Sequence, residues 1–135
     1  NWDRTIENIK FLQSFNNVDL RANTVFFVLT AQELSDIVDY FMEEIGSIDH
    51  TVNQVGMGQF HLRCRNLPSQ IKNEVRKKLE NTFEKYKDNL NIAGNLKNCL
   101  FELENNKENS EYKSYFDMID SRQGSNWRKL YPELA

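Results

Sequence analysis

The run of five apolar residues at 25–29, VFFVL, constrains this chain more than any other stretch. It closes a segment, residues 18–29, whose first half alternates apolar with polar side chains. The second half is apolar throughout and rich in β-branched and aromatic residues. That pattern predicts a strand buried on both faces, as in a parallel sheet. Thr30 follows and stands three residues before Glu33, the spacing of a capping box that opens a helix. In that helix Leu34, Ile37, Val38, Phe41, Met42 and Ile45 trace one apolar stripe, and Gly46 stops it. A second strand is expected over residues 50–56, with Gly56 and Gly58 on either side of Met57 marking a bend. Strand, capped helix and strand form a βαβ unit, whose crossover is almost always right-handed. Two parallel strands alone make a poor sheet, because their outer backbone groups lack partners. The chain therefore reads as a slice of a larger α/β barrel or open sheet.

Helices flank this unit. Ile6, Ile9, Leu12 and Phe15 recur every three residues before the first strand, and Asn16-Asn17 ends that helix. Pro68 suits a first helical position, where its missing N–H would have no partner anyway. Ile71, Val75, Leu79, Phe83 and Tyr86 follow at helical spacing. A shorter helix is expected around residues 96–103, with Leu96, Cys99, Leu100 and Leu103 on one side. Residues 102–110, ELENNKENS, read as an exposed loop or frayed end. A last helix over 111–120 packs Tyr112, Tyr115, Phe116 and Ile119. In the tail, Trp127, Leu130 and Tyr131 lie at helical spacing behind Gly124 and a possible cap at Asn126. That tail reads as a turn that locks aromatic rings onto the core, with Asp120 paired to Arg122 or Arg128 for at most about 1 kcal/mol.

The balance of charge narrows the partners. Charged residues are 27% and hydrophobic ones 39% of the 135, ordinary for a soluble domain, and the net charge is −3. Nucleic acid is not an expected partner, since phosphate binding needs a clustered basic face. The nearest cluster, Lys72, Arg76, Lys77 and Lys78, is interleaved with Glu74, Glu80 and Glu84, the mark of a solvated helix face. The apolar run at 25–29 is far too short to cross a bilayer, so no membrane is expected. The first residues carry neither a secretion pattern nor an initiator Met, which suggests a start inside a longer reading frame. Cys64 and Cys99 are the only cysteines. They are expected to be reduced and partly buried in a cytoplasmic protein.

Four segments, in order, resemble the rear of a radical SAM enzyme. Residues 2–29 are similar to its helix leading into a strand, and residues 28–37, VLTAQELSDI, to a strand end with a helix over the barrel mouth. Residues 60–72, FHLRCRNLPSQIK, resemble the "LP…K" start of its final helix. The tail YFDMIDSRQGSNWRKLYPEL, with Asp120, Arg122, Gly124, Trp127 and Pro132, resembles the ending of twitch-type members. The resemblance implies an α/β fold: the C-terminal portion of a partial (β/α) barrel, followed by a helical C-terminal extension. Residues 1–67 would be the strand–helix–strand portion, and 68–135 the helical region closing on it.

The same resemblance implies chemistry. That family cleaves S-adenosylmethionine with an electron from a [4Fe–4S] cluster, and the 5′-deoxyadenosyl radical then abstracts hydrogen from a small-molecule or peptide substrate. Its cluster sits on a CxxxCxxC loop that this chain does not contain, and Cys64 and Cys99 cannot hold one alone. The implied partner is a missing N-terminal half of the barrel, which would carry the iron–sulfur site. The family often has Asn where Thr30 stands and Pro near Gly58.

Ligands of α/β barrels sit at the C-terminal ends of the strands. Thr30, Asn53, Val55 and Met57 are therefore the expected cofactor contacts, with Asn23, Gln32 and Gln54 toward substrate. Each has a plainer reading: Thr30 as a cap, Asn53 and Gln54 as ordinary strand residues, Asn23 as a polar residue satisfied at the strand's start. No catalytic residue and no metal ligand is assigned; His50 and His61 lie far apart with few partners. His61, Arg63 and Arg65 alternate, so an extended segment would put them on one face, gripping a carboxylate or phosphate or lining a solvated edge. No GxSxG, HExxH, P-loop or dinucleotide motif is present. Two functions follow: part of a radical SAM enzyme, or a non-enzymatic interaction module docking through the helix of residues 68–86.

Overall fold

A computed structural model describes residues 2–46, 49–56, 58–104 and 109–135. Helix α1 (Trp2–Gln13) leads into strand β1 (Arg21–Phe26), then helix α2 (Leu34–Tyr40) and a π-turn at Phe41–Ile45. Strand β2 (Asp49–Gln54) follows, then two 3-10 turns at Phe60–Leu62 and Cys64–Asn66. Helices α3 (Ser69–Tyr86), α4 (Leu90–Leu103), α5 (Glu111–Gln123) and the short α6 (Trp127–Leu130) complete the chain, with a 3-10 turn at Pro132–Leu134.

The strands pair in parallel as expected, from Arg21 beside Asp49 to Phe26 beside Gln54. The sheet has two strands among the described residues. The rest is mostly helical, and this overturns the expected partial (β/α) barrel. The physical reason lies in the VFFVL run. Only Val25 and Phe26 belong to the strand, and Val25 is 43% exposed. Beyond Phe26 the chain turns back: Thr30 Oγ1 donates to the Val25 carbonyl at 2.7 Å and accepts from the Phe27 N–H at 3.2 Å. Val28 is 1% exposed because its turn is covered, and its N–H bonds the Leu62 carbonyl at 3.1 Å. An apolar run reports burial; it does not report strand geometry. The strand is thus buried on one face only. Arg21, Asn23 and Val25 look outward, while Phe26 is buried on the opposite, helix-covered side.

Helices supply the cover that further strands would supply in a barrel. α4 packs on β2, α3 packs on α4, and α2 packs on α3. A two-stranded sheet is stable when a helical layer buries one face in this way. Residues from both sides of position 67 share one hydrophobic cluster, including Phe26, Leu34 and Leu67 with Leu79, Leu96 and Leu103. The apolar stripe on α3 is spent there: Leu79 is fully buried and Val75 1% exposed.

Several ends differ from expectation by local chemistry. Pro68 precedes α3 as its cap, its carbonyl accepting from Lys72 N at 2.9 Å. α4 begins at Leu90 because the Asn89 side chain caps it, accepting from Ile92 N at 3.2 Å. Glu102 and Leu103 are buried in α4 and are not an exposed loop; residues 105–108 of that expected loop lie outside the described residues. At Gly46, φ is +75°, the left-handed region that ends the π-turn.

α1 stands apart. It buries none of its residues fully, and Phe11 is 63% exposed. It leans on the α2 segment through Trp2 against Tyr40, rings 5.9 Å apart, and through Gln13 Nε2 donating to the Ile45 carbonyl at 3.0 Å.

Candidate functional site

Of the described residues expected to hold cofactor and substrate, Asn53 and Gln54 share a cleft with Asn95, Asn98 and Phe101, and Asn23, Thr30, Gln32 and Val55 do not line it. Asn23 and Asn53 meet on the open face of the sheet, where Asn53 Nδ2 donates to Asn23 Oδ1 at 2.8 Å. Gln54 faces the helices and donates to the Asn98 carbonyl at 2.8 Å. Val55 is a core residue, 6% exposed. Thr30 bonds backward into its own turn, and α2 starts at Leu34 with Glu33 as its cap, so the expected capping box is not formed. The Gln32 carbonyl accepts from Lys78 Nζ at 3.1 Å, while its buried side-chain nitrogen has no partner. Met57 lies outside the described residues.

The basic alternation of His61, Arg63 and Arg65 is not extended. Two 3-10 turns carry it, and both arginines find internal partners. Arg65 pairs with Glu102, and Arg63 lies over the Phe60 ring at 5.6 Å and donates to the Val55 carbonyl at 3.4 Å. His61 packs against Tyr115, rings 4.6 Å apart. His50 is 2% exposed, hydrogen-bonded through Nε2 to Thr24 Oγ1 at 2.9 Å and packed 4.7 Å from the Phe41 ring. Burial lowers its pKa below the usual histidine value, against a weaker opposing pull from Asp49.

An aromatic cleft lies elsewhere, between the start of α1 and α2. Trp2, Glu33, Asp36, Ile37, Tyr40 and Phe41 line a space of about 370 Å³. Glu33, Ile37 and Tyr40 recur at i, i+4 and i+7, which sets them on one face of α2. The sequence reading assigned Ile37 and Phe41 to the core stripe. Both are only half-buried, because α1 covers that flank loosely. The signal available in the sequence was Trp2, an indole at the start of a helix that has little else to bury it.

Among the described residues no group of three or more His, Cys, Asp or Glu is placed to hold a metal ion. No helix among them is long and apolar enough to cross a membrane. No family model matches the chain, and no curated protein or solved structure matches it either.

Proposed function

We propose that this chain is a cytoplasmic interaction module that takes an extended segment of a partner protein on the free edge of β1. The observation that carries the reading is the one-sided pairing of that strand. The Leu20 carbonyl accepts from Asp49 N at 3.2 Å, which fixes the parity of the ladder. In a parallel pair alternate residues bond the neighbour, so Ala22, Thr24 and Phe26 turn their amides to β2. Arg21, Asn23 and Val25 turn theirs to the other edge, where no second strand lies among the described residues. The turn at Thr30 covers only the Val25 carbonyl. An unpaired edge of this kind is a template for strand addition, with main-chain bonds giving affinity and side-chain neighbours giving selectivity. Val18 and Val25, 39% and 43% exposed, offer apolar area on the chain leading into and along that edge. The free, buried thiols of Cys64 and Cys99 support a reducing compartment.

Completion of a radical SAM enzyme, with its S-adenosylmethionine and [4Fe–4S] chemistry, is a reading of the sequence alone, and no placement in the fold favours it.

Selection from a library of displayed extended peptides tests the proposal. Binders should protect the amides of Arg21 and Asn23 from hydrogen exchange and lose affinity for Asn23→Pro, which removes the edge donor, but not for Asn23→Thr. Binders that protect other amides, or that ignore Asn23→Pro, would overturn it.

A further inference from the structure

The cleft between α1 and α2 has a chemical character that the open strand edge does not share. Its walls are three aromatic rings set at steep angles. Trp2 and Tyr40 lie 5.9 Å apart at 47°, and Tyr40 and Phe41 6.1 Å apart at 82°. Trp2 remains 56% exposed, so the indole walls the cleft without filling it. Two carboxylates, Glu33 and Asp36, stand at the same cleft.

Those two acids differ from Asp39 and Glu43 on the same segment. Asp39 and Glu43 share Lys85, at 2.8 Å and 2.6 Å, so each has an ion-pair partner within the fold. No Lys or Arg among the described residues lies within ion-pair distance of Glu33 or Asp36. The negative charge at the aromatic walls is therefore taken up by no ion pair, the neighbouring cation Lys78 being held on the Gln32 carbonyl at 3.1 Å. Ring faces carry negative potential of their own, and the carboxylates add to it. A neutral apolar molecule would leave that field unanswered, and an anion would be repelled. A bare ammonium ion would forfeit its hydration against apolar rings. The ion that meets both requirements is a cation with an apolar surface.

We propose that this cleft binds an alkylated ammonium group, such as a methylated lysine side chain or a choline-type head group. Trp2 and Tyr40 supply the ring contacts, and Glu33 and Asp36 supply the counter-charge. The site is separate from the β1 edge, so either can fail without the other.

The test follows the Trp2 indole N–H resonance while choline is titrated in, beside its neutral isostere 3,3-dimethylbutanol. Choline should shift the Trp2 signal and leave the buried Trp127 signal in place, and the neutral isostere should bind at least about tenfold more weakly. Trp2→Ala, which removes a half-exposed ring from a helix with no fully buried residue, should abolish choline binding, read by the Tyr40 ring signals. Asp36→Asn should weaken binding several-fold without moving the Trp127 signal. A trimethyl-lysine peptide and its unmethylated form separate the two sources. Tighter binding of the methylated peptide than of choline assigns a protein ligand, and equal or weaker binding assigns a free head group. No shift of Trp2 by either cation at millimolar concentration, or equal affinity for the neutral isostere, would overturn the proposal.

Discussion

Arg65 grips the carboxylate of Glu102 through two parallel hydrogen bonds, each 2.8 Å long. Glu102 is 5% exposed and the Arg65 side chain 28%, so the pair lies mostly out of water. It ties the 3-10 turn after β2 to the last turn of α4. Of the two readings of the basic run, an external carboxylate or phosphate or a solvated edge, Arg65 follows neither: its carboxylate is provided from within the molecule.

Truncating Glu102 should therefore cost stability. Glu102→Ala is expected to lower the unfolding free energy by about 2 kcal/mol, below the range for fully buried pairs because Arg65 regains water. The double variant Arg65→Met with Glu102→Leu should recover most of the loss. Urea denaturation of the three variants decides the matter, and a loss under about 0.5 kcal/mol for Glu102→Ala would show the pair to be inert.

His50 makes the fold sensitive to mild acid. Burial holds it neutral in the folded chain, with its pKa lowered, while the unfolded chain protonates it near about 6.5. The unfolded state then binds the extra proton as pH falls, so this contribution is full above that value and declines below it. Urea midpoints should fall from pH 7.5 to pH 5, and less steeply for His50→Phe. Equal slopes for the two proteins would remove His50 as the cause.

Neither cysteine should react in the native state. Burial pushes the Cys99 thiol up to about 12 and Cys64 well above its ordinary value, helped by the nearby Glu102 carboxylate. The attacking species is the thiolate. A disulfide-exchange reagent at pH 8 should label both only as fast as the protein unfolds. Immediate stoichiometric labelling would contradict the buried positions.

The tail is held by two aspartates. Asp120 accepts from the Trp127 backbone N–H at 2.7 Å, and Asp117 accepts from the Trp127 indole at 2.8 Å while pairing with Arg128. Hydrogen bonds from Arg128 and Trp127 hold the Asp117 carboxyl at about 2, so this lock persists until pH falls toward that value. Asp120→Ala should cost about 1 kcal/mol and shift Trp127 emission to the red in a Trp2→Phe background. Unchanged emission would mean that the Asp120 hydrogen bond does not seat the ring.

Periodicity located the helices well. The stripes on α3 and α5 fall where the structure buries or half-buries them, while Ile37 and Phe41 of the α2 stripe are only half-buried and Leu12 and Phe15 of the first stripe stay exposed. Runs without a period were another matter. VFFVL turned out to be half strand and half covered turn, and Glu102 looked like loop because its partner lies far away at Arg65. The scattered fate of Thr30, Asn53 and Val55 has the same origin: each was placed by assuming a barrel, and the helices that close the sheet instead carry their own polar stretches. The Trp2 cleft escaped notice because its rings come from two helices that meet only in space.

The parallel pairing of β1 with β2 also has a cost in time. Arg21 reaches Asp49 only when α2 and the π-turn already span the gap, whereas α3 and α4 meet across a short connection. Closing the longer loop must be paid in entropy before its contacts form. We expect the α3–α4 hairpin to order first and the sheet to zip late, as a hypothesis that rate measurements address. Leu96→Ala should then slow refolding, while Val52→Ala should mainly quicken unfolding. The reverse pattern would place the strands in the nucleus. A late sheet also means that nascent chains expose the β1 edge longest, which makes synthesis the moment when a competing strand is best able to capture it.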